Sequence, residues 1–334
     1  MKLGTSVRFL FPTSPATHER FRSLLASMPK GAFIERPMGA YAPDEQARNL
    51  MEVAAAARAA GLDALLTGDS HAANPAYAAT FSPLPTLARL MSVTGAMPIG
   101  MVLLAPFYHP LLLAEQIGTL AAFAGGPLIV TFVLGGRPQQ FQAFGMEERS
   151  RVGRLDEVVE VARALLSGER VTHRGRYYTL EGATISPLPR VPVEIWLGGT
   201  VPASAERAGR LGDAWLTGQN AADEDLPRQL ELYRAAAARA GREPRPVLRR
   251  DIYVGESEGE ARAVVGAILA EGYRGTGFDQ LLVGSADTVV QALGRYRTMG
   301  FDYVMVRHIG GDHQLMLRSF ERIGREVMPQ IRHL

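Results

Sequence analysis

Short apolar runs alternate with longer helical patterns over almost the whole chain, and that alternation limits the possible folds more than any other feature. The runs are Leu3–Phe9, Ala64–Thr67, Ile99–Leu104, Leu128–Leu134, Val193–Leu197, Ala214–Thr217, Leu248–Val254 and Tyr303–Arg307. Most are apolar on both faces, as strands of a parallel sheet covered by helices are. Between them lie helical patterns at Asp44–Ala60, Leu111–Phe123, Arg151–Leu166, Ala203–Leu211, Asp225–Ala240, Glu258–Ala270 and Ala286–Met299. Gly61, Gly168, Gly212, Gly241 and Gly300 stand where C-terminal stops are expected. Eight strands with intervening helices predict an α/β (β/α)8 TIM barrel with insertions rather than an open sheet, read as a single domain over residues 1–334.

Two segments are too long for ordinary connections: Pro12–Pro43, and Gly168–Val191, which carries HRGRYYTLEG and SPLPRVP. They are read as insertions, candidate lids or interface segments. With 47% hydrophobic and 21% charged residues the chain can build a large core. A formal net charge of +2 with no long basic block gives no support to nucleic-acid binding. The absence of cysteine excludes disulfides, thiolate catalysis and Cys-based metal sites. No apolar run approaches the length of a membrane span, and the N-terminal residues do not read as a signal peptide. The expectation is a cytoplasmic protein.

In a barrel of this kind functional residues gather at the C-terminal ends of the strands. That rule selects Gly68-Asp69-Ser70-His71, Ala105 to Pro110, Gly135-Gly136-Arg137, Gly198-Gly199-Thr200 and His308 to His313. In the stretch Val193–Gly218 a buried strand ends on Gly198-Gly199, Thr200 follows, and a helix begins near Pro202. Two glycines permit positive φ and close ligand approach, while the helix N-terminus offers N–H groups and dipole, which suits a phosphate. The bland alternative is an ordinary strand-to-helix turn. His308 and His313 are spaced for no common metal motif, GxSxG is absent, and so is GxGxxG. No metal site is therefore expected. An apolar barrel mouth with a few polar groups and one phosphate pocket suits a flat, phosphate-tailed cofactor such as a flavin.

Several blocks in order resemble the bacterial-luciferase-like flavin-dependent oxidoreductases. They are AGLDALLTGDSH (60–71), PIGMVLLAPFYHPLLLAEQIGTLAAFAGG (98–126), FGMEERSRVGRLDEVVEVARALLSGE (144–169), HRGRYYTLEG (173–182), SPLPRVPVEIWLGGTVPASAERAGRLGDAW (186–215) and VGSADTVVQALGRYRTMGFDYVMV (283–306). The resemblance implies a luciferase-like barrel and a monooxygenase that uses reduced FMN and O2 to oxygenate a small organic substrate. The alternatives are an F420-dependent oxidoreductase working by hydride transfer and a non-catalytic flavin-binding relative. Carried across, Gly198, Gly199 and Thr200 hold the cofactor phosphate, Asp69 lies near the ring edge, Leu104 lies under the ring, and Thr131 and Gly135 flank it. His71 falls where the family places a catalytic histidine, here a candidate general base, the alternative being that His71 and His109 cap loops. A non-prolyl cis peptide is implied around Leu103–Ala105.

The chain also departs from the family pattern. Ala124-Gly125-Gly126-Pro127 replaces the usual Ser-x-Gly-Arg before the fourth strand, and Arg151-Val152-Gly153 stands where many relatives have Arg-Tyr-Glu. Arg151 or Arg154 could substitute for the lost cofactor contact as a charge-assisted donor, the equal alternative being solvated helix arginines. Arg8, Arg36, Arg137 and Arg151 could supply charge for the polyglutamate tail of F420, the default reading being solvated surface arginines. The implied partners are a separate flavin reductase and a second copy in a homodimer. The Ala-rich face Ala54–Ala60 packs either there or on its own barrel.

Overall fold

The computed structural model describes residues 1–7, 43–72, 81–219, 221–270, 277–309 and 312–334. Insertion 12–43 therefore lies outside the described residues apart from Pro43, as do Arg8 and Arg36. The strands are β1 (Lys2–Val7), β2 (Leu65–Thr67), β3 (Ile99–Leu104), β4 (Leu128–Val133), β5 (Val171–Arg174), β6 (Thr179–Ala183), β7 (Val193–Gly199), β8 (Ala214–Thr217), β9 (Pro246–Val254), β10 (Leu281–Gly284) and β11 (Tyr303–His308). The helices are α1 (Pro43–Ala59), α2 (Pro83–Thr94), α3 (Pro110–Phe123), α4 (Pro138–Ala143), α5 (Arg151–Leu166), α6 (Pro202–Leu211), α7 (Leu226–Arg239), α8 (Glu258–Ala270), α9 (Ala286–Met299), α10 (His313–Arg322) and α11 (Met328–Ile331).

Parallel strands run β11-β1-β2-β3-β4-β7-β8, and β9 pairs with β8 and with β11. The fold is a (β/α)8 TIM barrel, as the alternation predicts. β10, which the sequence reading omits, adds to β9 in parallel register from Leu281 opposite Asp251. The chain divides into two compact units, one containing Met1–Leu65 and Leu248–Leu334, the other Leu66–Ala72 and Phe81–Val247.

In the first unit Tyr253, Ala261, Val265, Ile268, Val283 and Ile309 form a buried cluster that joins α8 to the ends of β9 and β10. On α1, Val53, Ala54, Ala57 and the following Ala60 are buried within the unit, while Ala55 and Ala59 face out. The buried side of the Ala-rich face thus packs on its own unit.

In the second unit β3, β4 and β7 run in register, with Val102 opposite Thr131 and Thr131 opposite Trp196. Trp196, Trp215, Phe132, Phe141 and Tyr233 are its largest fully buried apolar side chains. Segment 168–191, the second insertion, contains regular structure. It folds as the antiparallel hairpin β5–β6 and continues through a cis Ser186–Pro187 bond. The peptide bonds at Leu103–Ala105 are trans, contrary to the cis bond the resemblance implies. There Leu104 N donates to Asp69 Oδ2, and the chain turns at once into a 3-10 turn, Ala105–Phe107.

Candidate functional site

The second unit brings Asp69, His71, Leu104 and Gly135 together. Asp69 leaves β2 with its side chain fully buried. Its Oδ2 accepts from Leu104 N at 2.9 Å and from the Tyr108 hydroxyl at 3.0 Å, and it lies 3.2 Å from His71 Nε2. The last pair is a close approach rather than an aligned hydrogen bond, because His71 Nε2 has no hydrogen-bond partner. Asp69 Oδ1 is buried and has no partner either. A buried carboxylate oxygen without a donor is costly unless something else supplies one.

Around this carboxylate stand aromatic rings. His71 meets Phe107 edge-on at 5.4 Å between centroids and Phe144 at 5.1 Å, with Tyr108 at 5.7 Å. Phe107 in turn packs on Phe141 at 4.9 Å and Phe144 at 4.6 Å. Gln140 on α4 donates to the His71 carbonyl at 3.0 Å and fixes that loop. Burial first, then the neighbouring Asp69 charge and the hydrogen bond to it, push the Tyr108 phenol far above its ordinary range. The phenol therefore remains a donor to Asp69 at any physiological pH. Gly135 sits in the left-handed region at φ +70°, and a side chain there would point at Leu104 and the Phe107 ring, 3.6 and 3.8 Å away.

A second group lies across the strand tops. Thr131 is fully buried and its hydroxyl has no partner. A Cβ on Gly198 would come within 2.8 Å of Val133 Cγ1 and 3.6 Å of Thr131 Cγ2, so β4 and β7 touch closely here. Neither Gly198 nor Gly199 has positive φ, which corrects one reason given for these glycines. Both end β7 as extended residues, and a Cβ on Gly199 would collide with Ser204 in the first turn of α6. Glycine is needed because the helix start folds tightly onto the strand. The N-cap of α6, Val201, makes no side-chain cap, and Thr200 is exposed beside it. The start of α9 differs, since Ser285 accepts from Thr288 N while Glu258 accepts from Ser285 N and the Thr288 hydroxyl. An internal carboxylate already fills that terminus, whereas none occupies the start of α6 among the described contacts.

Arg151, the first residue of α5, pairs with Glu148 in the 3-10 turn just before it. Arg154 donates from Nε to Ser150 and lies over the rings of Tyr177 and Tyr178 at 4.9 and 5.7 Å. His109 meets Tyr178 edge-on at 5.5 Å. In the first unit, His308 is buried between Tyr253 and Phe320, and burial pushes its pKa down to about 3. His313 instead reaches Glu52 at 2.7 Å. Among the described residues no group of three or more His, Asp or Glu is arranged to hold a metal, and no helix is long and apolar enough to cross a membrane.

The sequence reading missed the parts played by Tyr108, Gln140, Phe141 and Phe144. Tyr108 lies inside a motif it had selected, and Phe141 and Phe144 show a three-residue spacing that places both on one side of a short helix and its end.

A family model described as luciferase-like monooxygenase matches residues 28–303. The chain is 27% identical over 282 residues to an FMNH2-dependent dimethylsulfone monooxygenase of Pseudomonas putida, a match covering 73% of this chain and 77% of that protein. It is 31% identical over 189 residues to an F420-dependent hydroxymycolic acid dehydrogenase of Mycobacterium tuberculosis, covering 54% of this chain and only 52% of that relative. The crystal structure of the monooxygenase RslO1 from Streptomyces bottropensis has the same fold, with a TM-score of 0.81 at 24% identity over 98% of this chain and 99% of that one.

Proposed function

Since the chain belongs to the luciferase-like monooxygenase family, we propose that it is a monooxygenase that uses reduced FMN and O2 to oxygenate a small organic substrate. The observation that carries this reading is the buried, unpartnered Oδ1 of Asp69, whose other oxygen lies against His71. A planar ring with N–H groups on its edge answers such an acceptor, and an apolar bed of Leu104 and the backbone at Gly135 suits its face. The hydroxyl of Thr131 offers a second unmet polar atom. Gly198, Gly199 and Thr200, with the uncapped start of α6, would hold a phosphate. Arg151 would have to leave Glu148 to reach a ligand, while Arg154 is already held beside the hairpin.

Bound reduced FMN would supply the two electrons with which one oxygen atom of O2 enters the substrate and the other leaves as water. The protein's part is orientation and exclusion of water. Phe107, Phe141 and Phe144 keep the surroundings of His71 apolar, and its imidazole would take or return a proton at Nε2 as general base. A separate flavin reductase is the proposed source of reduced FMN, and a cytoplasmic homodimer the proposed assembly.

The alternative is an F420-dependent hydride-transfer enzyme, favoured by the 31% identity to an F420-dependent dehydrogenase. The coverage supports FMN, because the FMNH2-dependent relative is matched over 77% of its length and the F420-dependent one over 52%. Parallel anaerobic titrations with reduced FMN and reduced F420, followed by fluorescence, test the choice. Binding of FMN alone is the expected result. A preference for F420 would retire the oxygenase reading, and binding of neither would retire both.

A further inference from the structure

The β5–β6 hairpin is gripped at its turn by one side chain of the neighbouring helix. Glu157, on α5, accepts from the backbone N–H groups of Arg176 at 2.9 Å, Tyr177 at 3.2 Å and Tyr178 at 3.0 Å, with His173 Nε2 at 3.3 Å. The fit is close. A Cβ on Gly175 would collide with the Glu157 carboxylate, and one on Gly153, a helical turn earlier, would come within 2.6 Å of the Tyr177 ring. The glycine at 153, a departure from the family pattern, makes room for a tyrosine delivered by the hairpin.

From that turn a chain of contacts leads to the candidate site. The Tyr178 hydroxyl donates to the Tyr108 carbonyl at 3.1 Å. Tyr108 donates its own hydroxyl to Asp69, and its neighbour Phe107 borders His71. Glu157 touches none of the site residues directly.

We propose that Glu157 is a positioning residue, which docks the hairpin so that Tyr178 fixes the Phe107–Tyr108 segment against Asp69 and His71. The proposal rests on the reading of Asp69 and His71 as part of a cofactor site. A positioning role differs from a merely structural one in that the site responds when the last link alone is cut.

Limited trypsin digestion and anaerobic titration with reduced FMN and reduced F420 test the two halves separately. Arg174 and Arg176 are exposed in the docked turn. Glu157→Gln presents an amide NH2 to a ring of donors, so cleavage after Arg174 or Arg176 should quicken about tenfold or more, since charge-assisted bonds are lost. The Kd of whichever cofactor the wild type binds should rise at least threefold. Tyr178→Phe keeps the hairpin docked, so its cleavage should stay within twofold of wild type while the cofactor Kd again rises at least threefold. A Glu157→Gln protein as resistant as wild type would overturn the docking role. Faster cleavage with an unchanged Kd in both variants would overturn the positioning role. If the wild type binds neither cofactor, the functional reading falls and the positioning role with it, while the digestion still decides whether Glu157 docks the hairpin.

Discussion

Replacing Asp69 by Asn separates the two oxygens of one carboxylate. Oδ2 receives two hydrogen bonds, at 2.9 Å from Leu104 N and 3.0 Å from Tyr108, in a fully buried setting. Bonds to a charged acceptor contribute about 1.5–3 kcal/mol each and neutral ones about 0.5–1.5 kcal/mol. The exchange therefore costs about 2 kcal/mol for the pair, a fall in Tm of roughly 3 °C for a chain of this size. The two donors force the amide oxygen of Asn to the Oδ2 side and its NH2 to the Oδ1 side. A cofactor N–H expected there would then meet a donor, and affinity for reduced FMN should drop about ten- to hundredfold. Thermal unfolding and anaerobic fluorescence titration read the two effects separately. Tyr108→Phe serves as comparison, because it removes one donor to Oδ2 but places no donor at Oδ1, so that affinity should fall only about three- to fivefold, well short of the Asp69→Asn loss. A loss of stability in Asp69→Asn with no change in affinity would refute Oδ1 as the cofactor's acceptor. No change in Tm would refute the assignment of the two bonds.

Gly199→Ala should disturb the start of α6, because its Cβ collides with Ser204, and should weaken reduced-cofactor binding while the far-UV circular dichroism stays near wild type. His71→Gln should leave the reduced-FMN Kd within threefold of wild type yet slow substrate-coupled O2 uptake by about a hundredfold or more, the usual reach of a general base; an unchanged rate would remove His71 from the mechanism. Burial works against ionisation of Glu157, but His173 and the turn N–H groups outweigh it and hold the carboxyl below its ordinary value. A lowered folded-state pKa means that the stabilisation is whole above the ordinary carboxylate value and is lost as pH falls through the lowered one. Trypsin is inactive in that range, so pepsin or hydrogen exchange at Arg176–Tyr178 should report release of the turn only in acid, and release at neutral pH would contradict the assignment.

The eight strands of the ring were legible because most are apolar on both faces and all alternate with long helical patterns, which leaves few alternatives to a covered parallel sheet. β10 was not: Leu281–Gly284 is as short as β8, and the sequence 271–280 before it, with Gly272, Gly275 and Gly277, reads as loop. α2 was hidden by Pro83 and Pro85, which read as loop although proline is tolerated in a first helical turn. The strand-end rule picked out Asp69, His71 and Gly135, and the family resemblance added Leu104; the four lie together. It could not find Tyr178, seventy residues from the Tyr108 carbonyl it bonds, because nothing local marks that pairing. Gly198 and Gly199 show the reverse case, where residue type was informative but the cause differed. They are required by contact with Val133 and Ser204, not by backbone angle.

Glu157 holds the hairpin almost wholly through main-chain N–H groups, which every residue but proline possesses. The outward side chains Thr172, Arg174, Thr179 and Glu181 contribute nothing to that grip. The hairpin is thus a cassette: its outer face can be rewritten, by drift or by a designer, while the socket that receives it stays the same.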